Sequence, residues 1–219
     1  SVQLARHKSR PTALDYIGRI VTNFVELHGD RTYGDDGALV CGLGQIGAQT
    51  VIVIGQERGG KEDKPDRRDG RTSPEGFRKA QRAFRLASKF ELPLVTLIDT
   101  PGPYTSLDAE ERGLGNVLAT TMSQMFALKV PSIAVIIGEG GSEGALALAV
   151  SNRVIMMEHA IYSVVSPENA AGLIYQDVTR ANEVAESLKL TAQDCMDLGI
   201  VDIVVREPLG GAHTNPDEA

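Results

Sequence analysis

The sequence is poor in cysteine, histidine and aromatic residues, and it has no tryptophan. Cys41 and Cys195 lie far apart without the spacing of metal ligands, and with only four histidines in the chain we expect no bound metal. No apolar run approaches the roughly 18 residues of a membrane-spanning helix, and residues 1 to 11 are basic without an apolar signal core. We therefore expect a soluble protein of the reducing cytoplasm.

Positive charge is also in short supply. The chain has 22 lysines and arginines against 29 acidic residues, a formal net charge of −7. This balance argues against a nucleic acid or an anionic membrane as the main partner. Hydrophobic residues make up 42% of the 219 positions, enough for the core of one domain, and we expect a single domain over residues 1 to 219.

One stretch organises the rest of the chain. An apolar run at residues 133 to 137 is followed by four closely spaced glycines and an Ala/Leu-rich segment at 145 to 149. This order predicts a strand, a glycine turn and a helix, because glycine permits positive φ and close backbone approach. A helix start carries unpaired N–H groups and the positive end of the helix dipole, so it can hold phosphate, carboxylate or an oxyanion.

The glycines of this turn fit a dinucleotide-binding fingerprint. Gly138, Gly140 and Gly144 have a G-x-G-x-x-x-G spacing, and Glu158 ends the next apolar run, about where a ribose-binding acid would lie. No Lys-Ser or Lys-Thr pair follows Gly144, which excludes a Walker A phosphate loop.

Other interpretations fit the same turn. G-x-S-x-G around Ser142, followed by Asp202 and His213, has the residue order of an α/β-hydrolase nucleophile elbow. Gly140 and Gly141 could instead present paired amides as an oxyanion hole. A tight turn without chemistry is the remaining alternative.

The rest of the chain alternates between strands and helices. An amphipathic helix is predicted over residues 12 to 28, with Thr12 as its N-cap. A charged segment at 57 to 71 is either a solvated loop or an anion-binding lid. This alternation predicts an α/β fold with a parallel sheet, either doubly wound or a spiral of ββα units. The other predicted strands are 38 to 46, 50 to 54, 92 to 98, 153 to 157, 161 to 165 and 201 to 205; further helices begin at Ser73 and span 108 to 128, 168 to 175, 179 to 189 and 192 to 198.

The strand at 92 to 98 ends in a second candidate binding turn, Asp99 to Tyr104 in sequence. Ligands of α/β proteins bind where strands end and loops begin, so this turn is expected to line the same pocket as the glycine turn.

Nine stretches between residues 5 and 213 together suggest a family. They are ARHKSRPTALDYI, VELHGDR, GDDGALV, SPEGFRKA, LIDTPGPY, AEERG, IGEGGSEGALALAV, YSVVSPE and EPLGGAH. In this order they resemble the carboxyltransferase alpha subunit of bacterial acetyl-CoA carboxylase, a member of the crotonase/Clp-protease superfamily. The resemblance implies an α/β fold of crotonase type, a spiral of ββα units.

The resemblance also implies a reaction. In this family carboxybiotin on a biotin carboxyl carrier protein delivers CO2 to the enolate of acetyl-CoA, giving malonyl-CoA for fatty acid biosynthesis, and released biotin takes the proton. The reaction then requires oxyanion holes and no side-chain base. By resemblance, Gly140 and Gly141 are the catalytic pair whose amides hold the ureido oxygen of biotin. The substrate-binding residues expected around them are Thr100, Pro101, Gly102, Pro103, Tyr104, Gly138, Ser142 and Glu143.

A partner subunit follows from the same resemblance. The family's beta subunit carries a zinc ribbon and most of the CoA site, which accounts for a chain without zinc ligands. We expect a cytoplasmic α2β2 assembly that binds the carrier protein and an acyl-CoA.

Both rival interpretations of the glycine turn are disfavoured, the hydrolase one by the resemblance and the dinucleotide one by the position of the turn in the chain. In Clp-type proteases the nucleophile falls where Ser142 lies, but the catalytic histidine falls at Val165, so no base is in place. A dinucleotide fingerprint normally opens its domain, whereas about 130 residues precede this one.

Three departures from the family pattern lie near the expected site. The family usually has glycine at Glu143, Ala-Tyr-Pro-Gly at residues 103 to 106 and His-Gln-Lys-Gly-Arg at residues 56 to 60. The alternative function is therefore a divergent homologue, for instance in secondary metabolism, that catalyses another thioester-enolate reaction such as decarboxylation or hydrolysis. For Glu143 we expect a side chain that turns away from the amides and caps the helix start.

Overall fold

A computed structural model describes residues 1–60 and 65–219. The described residues form an eight-stranded sheet and nine α-helices. The strands are β1 (Thr22–Glu26), β2 (Leu39–Ile46), β3 (Gln49–Gln56), β4 (Leu94–Thr100), β5 (Ser132–Gly141), β6 (Arg153–Met157), β7 (Ile161–Ser163) and β8 (Ile203–Val205). The helices are α1 (Val2–Ala5), α2 (Ala13–Ile20), α3 (Pro74–Phe90), α4 (Leu107–Glu111), α5 (Leu114–Phe126), α6 (Ser142–Ala149), α7 (Pro167–Tyr175), α8 (Ala181–Ser187) and α9 (Ala192–Asp197).

The sheet is antiparallel at one edge and parallel in the rest. Its order is β1-β2-β3-β4-β5-β6-β8; β1, β2 and β3 pair antiparallel, and the later neighbours pair parallel. The long strand β5 has two partners on one side, because residues 133 to 136 pair with β6 and residues 139 to 141 pair with β7. The predicted α/β class is confirmed.

Apolar burial on both faces of the sheet supplies the main core. Leu39, Ile54, Ile98, Ile136 and Met156 on five of the strands are fully buried in one cluster. A second cluster lies between α3, α4, α5 and α6. It fixes α6, and therefore the end of β5, against the helical layer. Its buried members are Phe77, Ala109, Leu114, Val117, Leu118 and Ala147.

The predicted helix over residues 12 to 28 is wrong in its second half. Thr12 does cap the helix, in a reciprocal capping box with Asp15, but α2 ends at Ile20 and the chain continues as β1. The apolar residues at 21 and 24 have helical spacing, but here they pack on two glycines of β2 instead of on a helix-packing surface. A Cβ at Gly42 would lie 2.6 Å from the Phe24 ring, and one at Gly44 would lie 2.2 Å from the Val21 side chain.

Two other predicted segments also differ. The helix expected at 108 to 128 is two helices, α4 and α5, separated at Gly113, which has a φ of 78°. In the charged segment 57 to 71, residues 61–64 lie outside the described residues, and a 3-10 helix follows at Pro65–Gly70. Within the described ranges, no helix is both long and apolar enough to cross a bilayer.

Candidate active site

A cleft of about 520 Å³ opens at the carboxyl ends of β4 and β5. Ligands of parallel α/β sheets bind at this edge. Three chain segments form most of its wall: the turn after β4, the junction of β5 with α6, and the segment from β7 into α7. The lining residues are Arg6, Arg58, Asp69, Arg71, Pro101, Gly102, Pro103, Thr105, Glu139, Ser142, Glu143, Val164, Val165, Ser166, Glu168 and Asn169.

Strand β5 passes into α6 without a loop. Gly141 ends the strand and Ser142 begins the helix, with a φ of 56° in the left-handed region. The predicted glycine turn is therefore wrong in form, because residues 138 to 141 remain in the strand and the positive φ at this junction belongs to a serine.

Close backbone approach, the other reason given for glycine here, is confirmed. A Cβ at Gly141 would lie 2.5 Å from the carbonyl carbon of Pro101, and one at Gly144 would lie 2.6 Å from the nitrogen of Pro103. Any side chain at these positions would push the β5–α6 junction away from the turn after β4.

The amides of the predicted catalytic pair lie at the end of the sheet. Gly140 pairs with Thr100 of β4 and with Tyr162 of β7, and Gly141 pairs with Ser163 of β7. The first turn of α6 follows directly, and N–H groups in a first helical turn have no partner within the helix. Ser142 and Glu143 of this turn line the cleft, so the start of α6 forms part of its wall.

The structure divides the predicted site residues into lining and supporting positions. Thr100 is buried, and its hydroxyl donates to the Gly102 carbonyl at 2.7 Å and accepts from the Gly102 N–H at 3.1 Å, which fixes the turn after β4. Tyr104 packs on the second core cluster, and the Arg68 guanidinium lies 5.0 Å from its ring centre. The predicted residues that line the cleft are Pro101, Gly102, Pro103, Ser142 and Glu143; Gly138, Gly140 and Gly141 are buried behind them.

Glu143 lies in the first turn of α6, where an acid is favourable, but its side chain makes no capping hydrogen bond. The N-cap position is Gly141, and the Glu143 carboxylate instead accepts a hydrogen bond from the Ser142 hydroxyl at the exposed mouth of the cleft.

A network of ion pairs in the wall of the cleft was not predicted from the sequence. The Arg58 Nη1 atom lies 3.2 Å from the carboxylates of both Asp99 and Glu139, and Glu139 also pairs with Arg6 at 2.6 Å. Arg6 reaches Glu168 at the start of α7, at 2.8 Å. Arg6 and Glu168 are 162 positions apart, so no local pattern connects them.

Asp99 and Glu139 are the buried carboxylates of this network, and the pKa of Asp99 is shifted. Burial raises the pKa of its carboxyl from the usual 3.8 to about 6, although Arg58 and the Glu139 N–H favour the charged form. A Cβ at Gly138 would lie 2.5 Å from the Asp99 carboxylate, so this glycine makes room for the acid between β4 and β5.

The described wall of the cleft does not supply the histidine that the hydrolase interpretation requires. Val165 lines it together with Ser142, and the residues that line it among the described positions include no histidine. His213, the candidate base of the hydrolase interpretation, stacks on His7 with a centroid separation of 3.9 Å.

A sequence model described as acetyl co-enzyme A carboxylase carboxyltransferase-like matches residues 1–219. The chain belongs to this family. The acetyl-coenzyme A carboxylase carboxyl transferase subunit alpha of Rhodospirillum centenum is 49% identical over 99% of this chain and 69% of its own length. That of Geobacter metallireducens is 50% identical over 97% of this chain and 67% of its own length.

Solved structures share the fold of this carboxyltransferase-family chain. Transcarboxylase 12S, with methylmalonyl-coenzyme A and methylmalonic acid bound, has a TM-score of 0.76 at 23% identity, over 88% of this chain and 38% of its own. The beta subunit of geranyl-CoA carboxylase from P. aeruginosa has a TM-score of 0.70 at 18% identity, over 86% and 37%. The expected crotonase-type fold and the assignment to acyl-CoA carboxyltransferases are confirmed.

The contact between Gly141 and Pro101 can be tested with Gly141→Ala. We expect a loss of about 1–3 kcal/mol in the free energy of unfolding, because the new methyl group overpacks a backbone contact. Carboxyl transfer by the assembled enzyme should fall by about 100-fold, since a displacement near 1 Å misplaces the site. Urea denaturation and initial rates measure the two effects.

Gly115→Ala is the matched control, because nothing lies within 4 Å of a Cβ at that position of α5. It should be neutral or stabilising by up to about 1 kcal/mol. Equal effects of the two substitutions would show that the Pro101 contact is unimportant.

The raised pKa of Asp99 predicts a pH dependence of stability. The folded state holds this proton to a higher pH than the unfolded state, so the free energy of unfolding should fall as the pH rises from about 4 to about 6. Two pKa units correspond to about 3 kcal/mol. Urea denaturation gives the free energy of unfolding of the wild type and of Asp99→Asn across this pH range. The difference between the two curves is the contribution of Asp99. Parallel curves for the two proteins would contradict it.

Proposed function

We propose that this chain is the alpha part of a carboxyltransferase that moves the carboxyl group of carboxybiotin to an acyl-CoA, converting acetyl-CoA to malonyl-CoA. The observation that carries the proposal is the junction of β5 with α6, where the start of a helix forms part of the cleft wall. In this proposal residues 1–219 act as a single crotonase-like domain.

The cleft fits a small anionic reactant. Its volume of about 520 Å³ is in the range of small-molecule sites, and its wall includes three arginines and the first two residues of α6. Carboxybiotin, when bound, supplies the carboxyl group and afterwards the base that takes the acyl proton. The chain's own contribution is electrostatic.

Gly140 and Gly141 remain the proposed catalytic pair, with the first turn of α6 adding the positive end of a helix dipole. Fixed amides of this kind stabilise charge that develops on an oxygen, and loss of one donor typically costs about 3–4 kcal/mol in the barrier. The proposed substrate contacts are Pro101, Gly102, Pro103, Ser142 and Glu143, with Thr100, Tyr104 and Gly138 holding the wall in place.

A partner subunit is part of the proposal. Next to the cleft, α7 and α8 pack on each other around a small core of their own, formed by Ala170, Ala171 and Val184. The end of α7 carries an exposed apolar patch: Leu173 is 81% exposed and Ile174 64% exposed. Such a patch is typical of a protein interface. We assign it to the beta subunit with the zinc ribbon, in an α2β2 assembly that receives the carrier protein at the cleft.

The proposed compartment is the cytoplasm. Cys41 and Cys195 are both buried free thiols, which fits a reducing environment.

The isolated chain should be inactive, because it holds only one part of the site. Mixing it with a beta-type subunit, carboxybiotin and acetyl-CoA should give malonyl-CoA, measured by incorporation of labelled carboxyl. Leu173→Asp should abolish both assembly and activity, while the unfolding midpoint of the isolated chain stays within the wild-type error. Full turnover by the isolated chain would refute the two-subunit proposal.

Substitutions of Glu143 distinguish the proposed reaction from its alternative, another thioester-enolate reaction. A carboxylate about 5 Å from a developing oxyanion opposes it by about 3 kcal/mol at an effective dielectric of 20, but by about 1 kcal/mol near that of water. Glu143 is exposed and bound by the Ser142 hydroxyl, so the smaller figure applies. Glu143→Gly and Glu143→Gln should therefore carboxylate acetyl-CoA within about fivefold of the wild-type rate.

The Gln variant is the matched control for the added flexibility of glycine. If both variants gained tenfold or more, the wild-type junction would have evolved away from biotin-dependent carboxylation, and decarboxylation or hydrolysis of a thioester would become the better proposal.

A further inference from the structure

Three arginines line the cleft, and two of them are already engaged. Arg6 pairs with Glu139 and Glu168, and Arg58 pairs with Glu139. Arg58 is further held by Asp69 and Asp99. These guanidinium groups cannot turn to a substrate without leaving buried or half-buried carboxylates unpaired, which is costly.

Arg71 differs from the other two. It is exposed at the cleft, and within the described ranges no carboxylate lies within 4 Å of its guanidinium group. A Cβ built on Gly102 would lie 3.8 Å from Nη1 of Arg71 and also 3.8 Å from Cβ of Ser142. The guanidinium group and the first residue of α6 therefore both border the Gly102 turn.

The backbone on both sides of Arg71 is fixed. Its N–H donates to the Arg68 carbonyl at 3.1 Å, and the next carbonyl, that of Thr72, accepts from the Tyr104 N–H at 2.9 Å. Ser73 then donates through its N–H and its hydroxyl to the buried Asp36 carboxylate, at 2.7 and 2.8 Å. The side chain thus starts from a rigid position beside the turn that lines the cleft.

We propose that Arg71 binds a substrate carboxylate in the cleft, beside the Gly102 turn and the start of α6, and so selects substrates that carry this group. A guanidinium group suits the task because its N–H groups form paired bonds to a planar carboxylate. The start of α6 lines the same cleft and adds positive potential there. The nearby Glu143 carboxylate disfavours more highly charged anions such as phosphate, by like-charge repulsion.

The bound carboxylate has two chemical sources. It is either the group being transferred, present in the carboxylated product, or a second carboxylate belonging to the acyl chain. The first source rests on the proposed carboxyl transfer, whereas carboxylate binding by Arg71 does not.

The test compares thioesters that differ by one carboxylate. Dissociation constants of malonyl-CoA and acetyl-CoA, and of succinyl-CoA and butyryl-CoA, are measured by calorimetry on the assembled enzyme with wild-type chain and with Arg71→Met. Because the CoA part is common to each pair, a purely structural effect changes both members equally and leaves their ratio unchanged. We expect Arg71→Met to reduce the preference for the carboxylated member of one pair by tenfold or more, and Arg71→Lys to restore part of it.

The affected pair identifies the source. Loss of the malonyl preference assigns Arg71 to the transferred carboxylate, and loss of the succinyl preference assigns it to a carboxylate on the acyl chain. Arg85→Met, an exposed arginine about three turns along α3, is the matched control and should leave both ratios unchanged. Unchanged ratios in Arg71→Met would refute the proposal, while failure of the wild-type assembly to carboxylate acetyl-CoA would refute the proposed function alone.

Discussion

The site depends on the contact between two stretches of main chain, the β5–α6 junction and the turn after β4. At Gly141 and Gly144 this contact leaves no room for a side chain. Peptide groups therefore occupy the place where a catalytic side chain would otherwise stand. Peptide dipoles neither titrate nor rotate freely, so they provide a positive potential that is already organised before the substrate binds. Surrounding side chains can then change specificity without changing this potential.

The ion-pair network explains how two such stretches stay in register. Asp99 at the end of β4 bonds the Glu139 N–H of β5, and Arg58 bridges the two carboxylates. Arg6 extends the same network to Glu168 on α7. Strand ends and the helix beside the cleft are thus tied to one another by charges that are mostly hidden from solvent. This arrangement uses the carboxylates and arginines for positioning, and it limits the charged groups that remain available to a ligand.

Much of the fold could be predicted because apolar spacing reports local structure directly. The parallel strands around β4 and β5 and the cap at Thr12 follow from patterns within a few residues. The error in β1 has a tertiary cause: its apolar residues repeat with helical spacing, yet they pack on Gly42 and Gly44 of a strand that lies some 20 residues later. Propensity alone does not contain this information.

The site was predictable in its main chain and less so in its side chains. The turn residues Pro101 to Pro103 and the junction at Ser142 were found because each directly follows a strand. The Glu139 pairing with Arg6 could not be found, because it depends on where the first residues of the chain return in space. Roles inferred for Gly140 and Gly141 remain predictions.

The positive φ of Ser142 indicates that the position of the first turn of α6 is constrained by the surrounding structure. A non-glycine residue in the left-handed region costs about 1–2 kcal/mol, and nothing in the local sequence compels it. Without this sharp bend, the chain would need loop residues between β5 and α6, and the first helical amides would move away from Gly102. Serine also provides a hydroxyl that holds the Glu143 carboxylate at the solvent side. The local strain is thus linked to two features of the cleft, the position of its amides and the position of its nearest negative charge.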